Sequence, residues 1–178
     1  MDNRIEQLFE EWRNGSGEAH RALLEEMETE VSWSYEVWDR LVGHLDDGDA
    51  RLRSEAAQFL SYLAVSDPED RIMRDFQHVW QVTKDEDLTA ARRALQSVWR
   101  IALGGARQKN LVTGSMIERF YTAAGEKNGT LLREDIVRGL AALYERDDDP
   151  YIDEQAKGLI DNVDDPEEAK TYYNIWKQ

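Results

Sequence analysis

The chain has 178 residues, 41% hydrophobic and 33% charged, with six tryptophans, seven tyrosines and a formal net charge of -15. It is too apolar and aromatic for disorder, and its length suits one domain, 1–178, burying about 70% of the surface its unfolded form exposes. The lack of cysteine excludes disulfides, thiolate metal sites and cysteine nucleophiles, and no segment approaches the ~20 apolar residues needed to span a bilayer.

The opening residues, Met1 to Trp12, lack the basic start and unbroken apolar run of a signal peptide, so a cytoplasmic protein is expected. From there, apolar spacing predicts about ten helices: 3–13, 17–30, 34–46, 50–65, 68–83, 88–103, 108–125, 130–146, 150–163 and 166–177. No alternating run is long enough for a strand, so the class is all-α. Asn14-Gly15-Ser16-Gly17, Asp46-Asp47-Gly48-Asp49, Gly104-Gly105 and Asn128-Gly129 supply turns between these helices. Gly114 interrupts the pattern of 108–125, leaving Met116 as an alternative start.

All three prolines follow an aspartate, at Asp67-Pro68, Asp149-Pro150 and Asp165-Pro166. The aspartate can accept a bond from a free backbone donor at a helix start, and proline then loses only a donor that had no partner. Three helix starts are expected there. Ser115 with Glu118, and Asp165 with Glu168, have the three-residue spacing of a capping box.

One apolar pattern recurs. After Asp49 come Leu52, Ala56, Ala57, Leu60 and Leu63; after Asp87 come Ala90, Ala94, Leu95, Val98 and Ile101; a looser copy follows Gly129. The copies lie 38 and 42 residues apart, a period expected for two-helix repeats. Helical hairpins of this kind cannot bury their apolar faces alone and must stack. The stretch from Asp49 through Leu52, Arg53, Ala56, Ala57 and Leu60 resembles the second helix of a HEAT repeat, and the resemblance covers roughly residues 34–163. It implies a right-handed α-solenoid of about five antiparallel hairpins. It further implies a structural ladder between repeats, with Asp49 and Asp87 as turn acids and Arg53 and Arg133 as the arginines that meet them.

Projection at 100° per residue puts Arg53 inside the apolar stripe of its helix and leaves other side chains on the opposite face. Those are Gln58 and Tyr62 on the fourth helix, Arg92, Arg93, Gln96, Trp99 and Arg100 on the sixth, and Arg138 on the eighth. In solenoids of this kind the second helices line the concave side, so these eight are the expected binding residues. Residues 88–133 carry 8 basic and 2 acidic side chains, net +6, between flanks of net -13 and -8. Arginine forks suit phosphate or carboxylate, and an adjoining aromatic offers a stacking surface.

No catalytic motif emerges. His20, His44 and His78 fall on three different predicted helices without metal-ligand spacing, and the acid-rich stretches Asp147–Asp149 and Asp161–Asp165 lack an EF-hand loop's pattern, so neither metal nor cofactor is expected. Asp75, among Ile72, Met73, Phe76, Val79 and Trp80, comes nearest to an isolated catalytic acid.

The favoured expectation is a non-catalytic repeat module that recognises a macromolecule, above all a protein, through its concave arginine/aromatic face or its acidic outer helices. One form of it is an acidic inhibitor or immunity-type protein masking a basic toxin. The alternative is a nucleic-acid-binding protein resembling HEAT-like alkylpurine DNA glycosylases, with Arg92, Arg93, Arg100 and Arg138 on phosphates. The net charge opposes it, and Leu103 rather than an acid lies four residues after Trp99. A chromophore lyase of the HEAT-like class is a weaker third expectation, one that no residue singles out.

Overall fold

Ten α-helices and three short 3-10 segments account for the secondary structure of residues 1–177, the part that the computed structural model describes, and no strand occurs among them. The chain divides into two compact units, Met1–Ala94 and Leu95–Gln178, with the boundary inside the sixth helix.

In the first unit, α1 (Asn3–Arg13) starts where the Asp2 carboxylate accepts the Ile5 amide, and α2 (Gly17–Met27) where the Ser16 hydroxyl accepts that of Ala19. Then come α3 (Ser34–His44), α4 (Ala50–Tyr62), α5 (Arg71–Val82) and α6 (Leu88–Ser97). α1 packs on α2 and α3 on α4, while α4 also meets α2 and α5. Ile5, Phe9, Trp12, Leu23, Trp38, Leu41, Phe59, Leu60 and Phe76 are all buried. Each such side chain contributes about 1.5–3 kcal/mol by leaving water.

Several helix boundaries in this unit differ from expectation, among them the end of α3 at His44 rather than 46. α2 stops at Met27 rather than running to 30, and α5 begins at Arg71 rather than directly after Pro68. The Asp67 carboxylate does cap α5, but across an intervening turn: it accepts the amides of Arg71 at 2.9 Å and Ile72 at 2.8 Å. Asp70 makes that turn in the left-handed region, at φ 53°, which costs a non-glycine residue about 1 kcal/mol. The Tyr35 hydroxyl fixes the same loop by donating to Asp67 and accepting the Glu69 amide.

The second unit contains a 3-10 segment (Val98–Gly104), α7 (Ala106–Thr122), α8 (Gly129–Asp147), α9 (Pro150–Asp161) and α10 (Pro166–Trp176). α8 packs against α7, α9 and α10. Val112, Met116, Phe120, Ile136, Leu140, Leu143 and Tyr172 are fully buried. The predicted 88–103 and 108–125 helices thus finish as 3-10 turns, as does 50–65 at Leu63–Ser66. Tightening the last turn reuses carbonyls that an α-helix would leave without a partner.

α7 runs straight through Gly114, so Ser115 lies mid-helix with its hydroxyl on the Leu111 carbonyl, and the expected Ser115/Glu118 capping box does not form. Asp149 and Asp165 cap α9 and α10 with proline in the first turn, as their sequences predict. Glu168, however, gives its carboxylate to the Tyr172 hydroxyl and Arg133 instead of completing a box. Gly129 opens α8 because the chain is tightest there: a Cβ would stand 2.1 Å from the Ala123 carbonyl oxygen.

Candidate functional site

In the first unit Arg53 meets a turn aspartate, but it is Asp85 and neither Asp49 nor Asp87. Arg53 sets Nε and Nη2 on the two Asp85 oxygens, at 2.7 and 2.9 Å, and Nη1 on the Asp47 carbonyl at 2.8 Å. Asp49 and Asp87 instead spend their carboxylates on helix starts, accepting the amides of Arg51 and Ala90. Each stands in the same turn, in which the aspartate two residues earlier, Asp47 or Asp85, accepts its amide at 2.9 Å. Hydrogen bonds from Arg53, opposed by burial and helped by the Asp87 amide, hold Asp85 below the usual carboxylate range.

Arg133, at the same place in the looser copy, has no turn acid. Its guanidinium lies 4.1 Å from the Phe120 ring centroid and 3.4 Å from Glu168.

Of the expected binding residues in the first unit, Arg93 is committed inward. Its Nη1 donates to the Ser54 hydroxyl at 2.8 Å and lies 3.8 Å from Glu55. Glu55, 6% exposed, is held further by Arg51 at 2.8 Å and the Trp12 indole N–H at 2.6 Å. Buried without these cations it would cost several kcal/mol, so Arg51 and Arg93 stabilise the unit. Gln58 pairs with His20 at 2.7 Å, while Tyr62 and Arg92 are half-buried.

In the second unit Gln96 donates to Asp135 at 3.0 Å. Trp99 is buried, with the Arg100 and Arg146 guanidinium carbons 4.9 and 5.9 Å from its ring centroid. Gly139 lets α8 close on it: a Cβ there would be 3.6 Å from Trp99 and 2.8 Å from the Met116 methyl. Two of the eight line concavities: Arg93, in a shallow one of about 300 Å³ with Asp49, Arg51 and Asp87, and Arg138. Arg138 meets Glu134 at 3.4 Å and lines an open groove of about 460 Å³ between α8 and the end of α10.

Ala141, Ala142 and Ile175 give this groove its apolar lining, and the Tyr144 and Trp176 rings pack together beside them with centroids 5.6 Å apart. The Trp176 N–H is fixed on Asp153 at 2.9 Å, which orients the ring, and Glu145 completes the rim. Burial and a hydrogen bond to Asp148 raise the Tyr144 hydroxyl above its ordinary value, so this ring is neutral at physiological pH. Small apolar side chains beside a packed pair of amphipathic aromatics and two opposite charges can take a side chain from another molecule.

Of the residues lining this groove Arg138 is among those expected from the sequence, whereas Ala141, Ala142, Tyr144, Glu145 and Trp176 are not. A signal was present: on α8, Arg138, Ala141, Ala142 and Glu145 are spaced i, i+3, i+4 and i+7, so two small residues interrupt an otherwise charged face.

Asp75 is not isolated but held by neighbouring donors. Burial pushes its carboxyl upward, but hydrogen bonds from Arg74 and from the Trp38 indole outweigh this and hold it below the usual value. Among the described residues no group of three potential metal ligands converges, and no helix is long and apolar enough to cross a membrane. No family model, curated protein or solved structure matches the chain.

Proposed function

We propose that this chain is a non-catalytic, HEAT-like helical-repeat module that binds another protein, using the outward face of α8 and the end of α10. The observation that carries this is the groove lined by Ala141 and Ala142 together with the packed Tyr144–Trp176 ring pair. Tyrosine and tryptophan beside small residues are the ingredients of a binding hot spot. The repeat architecture, a right-handed solenoid of hairpins, is supported by the Arg53 rung and by two identical aspartate turns 38 residues apart. Arg138 is the expected concave-face residue that this site retains; Arg93 belongs to the packing around Glu55.

The test is capture from the native cell on the immobilised full chain, in parallel with Ala142→Trp, which fills the groove. A partner held by the wild type and lost from the variant, with the variant's circular dichroism unchanged, is the expected result. Identical captured sets, or no protein retained at low salt, would overturn the proposal.

A further inference from the structure

We propose that the occupant of the α8–α10 groove is a cationic segment of the partner protein, with an apolar side chain seated on Ala141 and Ala142 and a lysine or arginine paired with Glu145. This rests on the protein-binding role proposed above and adds the chemistry of the ligand.

The groove sets the size. At about 30 Å³ per water, its 460 Å³ holds roughly fifteen waters. That is room for one or two large side chains, not for a folded surface. An apolar anchor gains most against these alanines, where displaced water has few polar partners.

The two ends of the groove differ in charge. At one end Arg138 is already compensated by Glu134, one turn earlier on the same helix. At the other, seven residues or roughly 10 Å along the axis, exposed Glu145 sits in the last turn of α8, where the helix macrodipole is negative. Arg146, the cation of that turn, is directed at the Trp99 ring, and Lys109 is taken by Asp147 and Asp149 at 2.6 and 2.5 Å. Asp148 follows as the C-cap, and Asp153 holds Trp176. Around the site, residues 134–178 carry 13 acidic and 5 basic side chains. A carboxylate-bearing segment would find Arg138 and Lys157 already paired with Glu134 and Asp153, and Lys177 beyond Trp176, against an excess of acid in this part of the chain. A cationic one is attracted at long range and then docks at Glu145.

Two short fluorescein-labelled amphipathic peptides decide this, one of leucine and lysine, the other with every lysine replaced by glutamate. Their binding to the full chain is measured by anisotropy at about 0.1 M salt, where surface charges act over ~10 Å. The leucine–lysine peptide is expected to bind at least about tenfold more tightly than its acidic counterpart, to lose about tenfold on Glu145→Lys, and to lose more on Ala142→Trp. Its amide-shift footprint is expected on residues 138–145 and 172–177. Glu145 is exposed, so Glu145→Lys folds as the wild type does and is decisive on its own. Equal affinity for both peptides, indifference to Glu145→Lys, or a footprint elsewhere overturns the proposal. So does a dimer of this chain that Ala142→Trp dissociates in sedimentation.

Failure of the two proposals is distinguishable. If the native partner is lost on Ala142→Trp and on Arg138→Glu but not on Glu145→Lys, protein binding stands and the cationic ligand falls. If Ala142→Trp leaves capture intact, the binding role itself falls.

Discussion

Arg53 and Arg133 occupy the same place in two copies of one pattern, yet the two units employ them differently. In the first unit the arginine closes a three-point fork on Asp85 and the Asp47 carbonyl. In the second it lies over Phe120 with one longer contact to Glu168, whose carboxylate also serves Tyr172. The difference lies in what another element brings: the turn before α6 sets Asp85 on Arg53, whereas α10 sets Glu168 beside Arg133 and α7 sets the Phe120 ring under it. The residue four places earlier is a partner in neither case, since Asp49 caps its own helix and at Gly129 a Cβ would stand 2.1 Å from the Ala123 carbonyl oxygen. Motif conservation within one chain therefore does not mean conservation of partners.

The largest effect is expected at Gly129, at the start of the helix that carries Arg133. Gly129→Ala is expected to destabilise the protein by about 3 kcal/mol or more, since a backbone atom must move, and a denaturant midpoint indistinguishable from wild type would remove the steric explanation. Arg53→Met should cost about 2 kcal/mol by leaving Asp85 without its fork. Arg133→Met should cost about 1 kcal/mol, because stacking and one long ionic contact are lost, and urea unfolding of both variants tests the ranking. Equal losses would erase the distinction between the units.

A smaller effect sharpens it through pH. Asp85 is held below the ordinary carboxylate value of ~3.9, so the unfolded chain takes up that proton first as the solution is acidified. The stability from this pair is complete above about pH 4 and is lost as pH falls through the folded value. The gap between wild type and Arg53→Met should therefore narrow below about pH 4, and a gap constant down to pH 2 would contradict the pairing. Smallest of all, Glu145→Lys should leave stability within about 0.5 kcal/mol, since its effect belongs to binding.

Much of the fold was legible in the sequence because its signals are local. Asp149-Pro150 and Asp165-Pro166 mark helix starts with chemistry contained in four residues. Asp67-Pro68 carries the same signal but begins α5 three residues later, because Tyr35, 32 residues away, holds the loop. The rung was legible in type but not in partner: a turn with aspartates at both 47 and 49, or 85 and 87, offers two carboxylates, and geometry assigns one to the helix cap and the other to the arginine. The groove depends on α10 reaching α8 and so left only the faint trace of two alanines on a charged face. Helix projection alone cannot show that Arg93 also reaches Ser54 and Glu55 on another helix.

Three indole N–H groups end on carboxylates: Trp12 on Glu55, Trp38 on Asp75 and Trp176 on Asp153. Each pair joins two different helices, α1 with α4, α3 with α5, and α9 with α10. The molecule consequently carries its own optical reporters, since a charge fixed at the pyrrole nitrogen shifts an indole's emission and the shift disappears when the helices part. Variants retaining only one of these tryptophans would let melting be watched contact by contact, twice in the first unit and once at the groove.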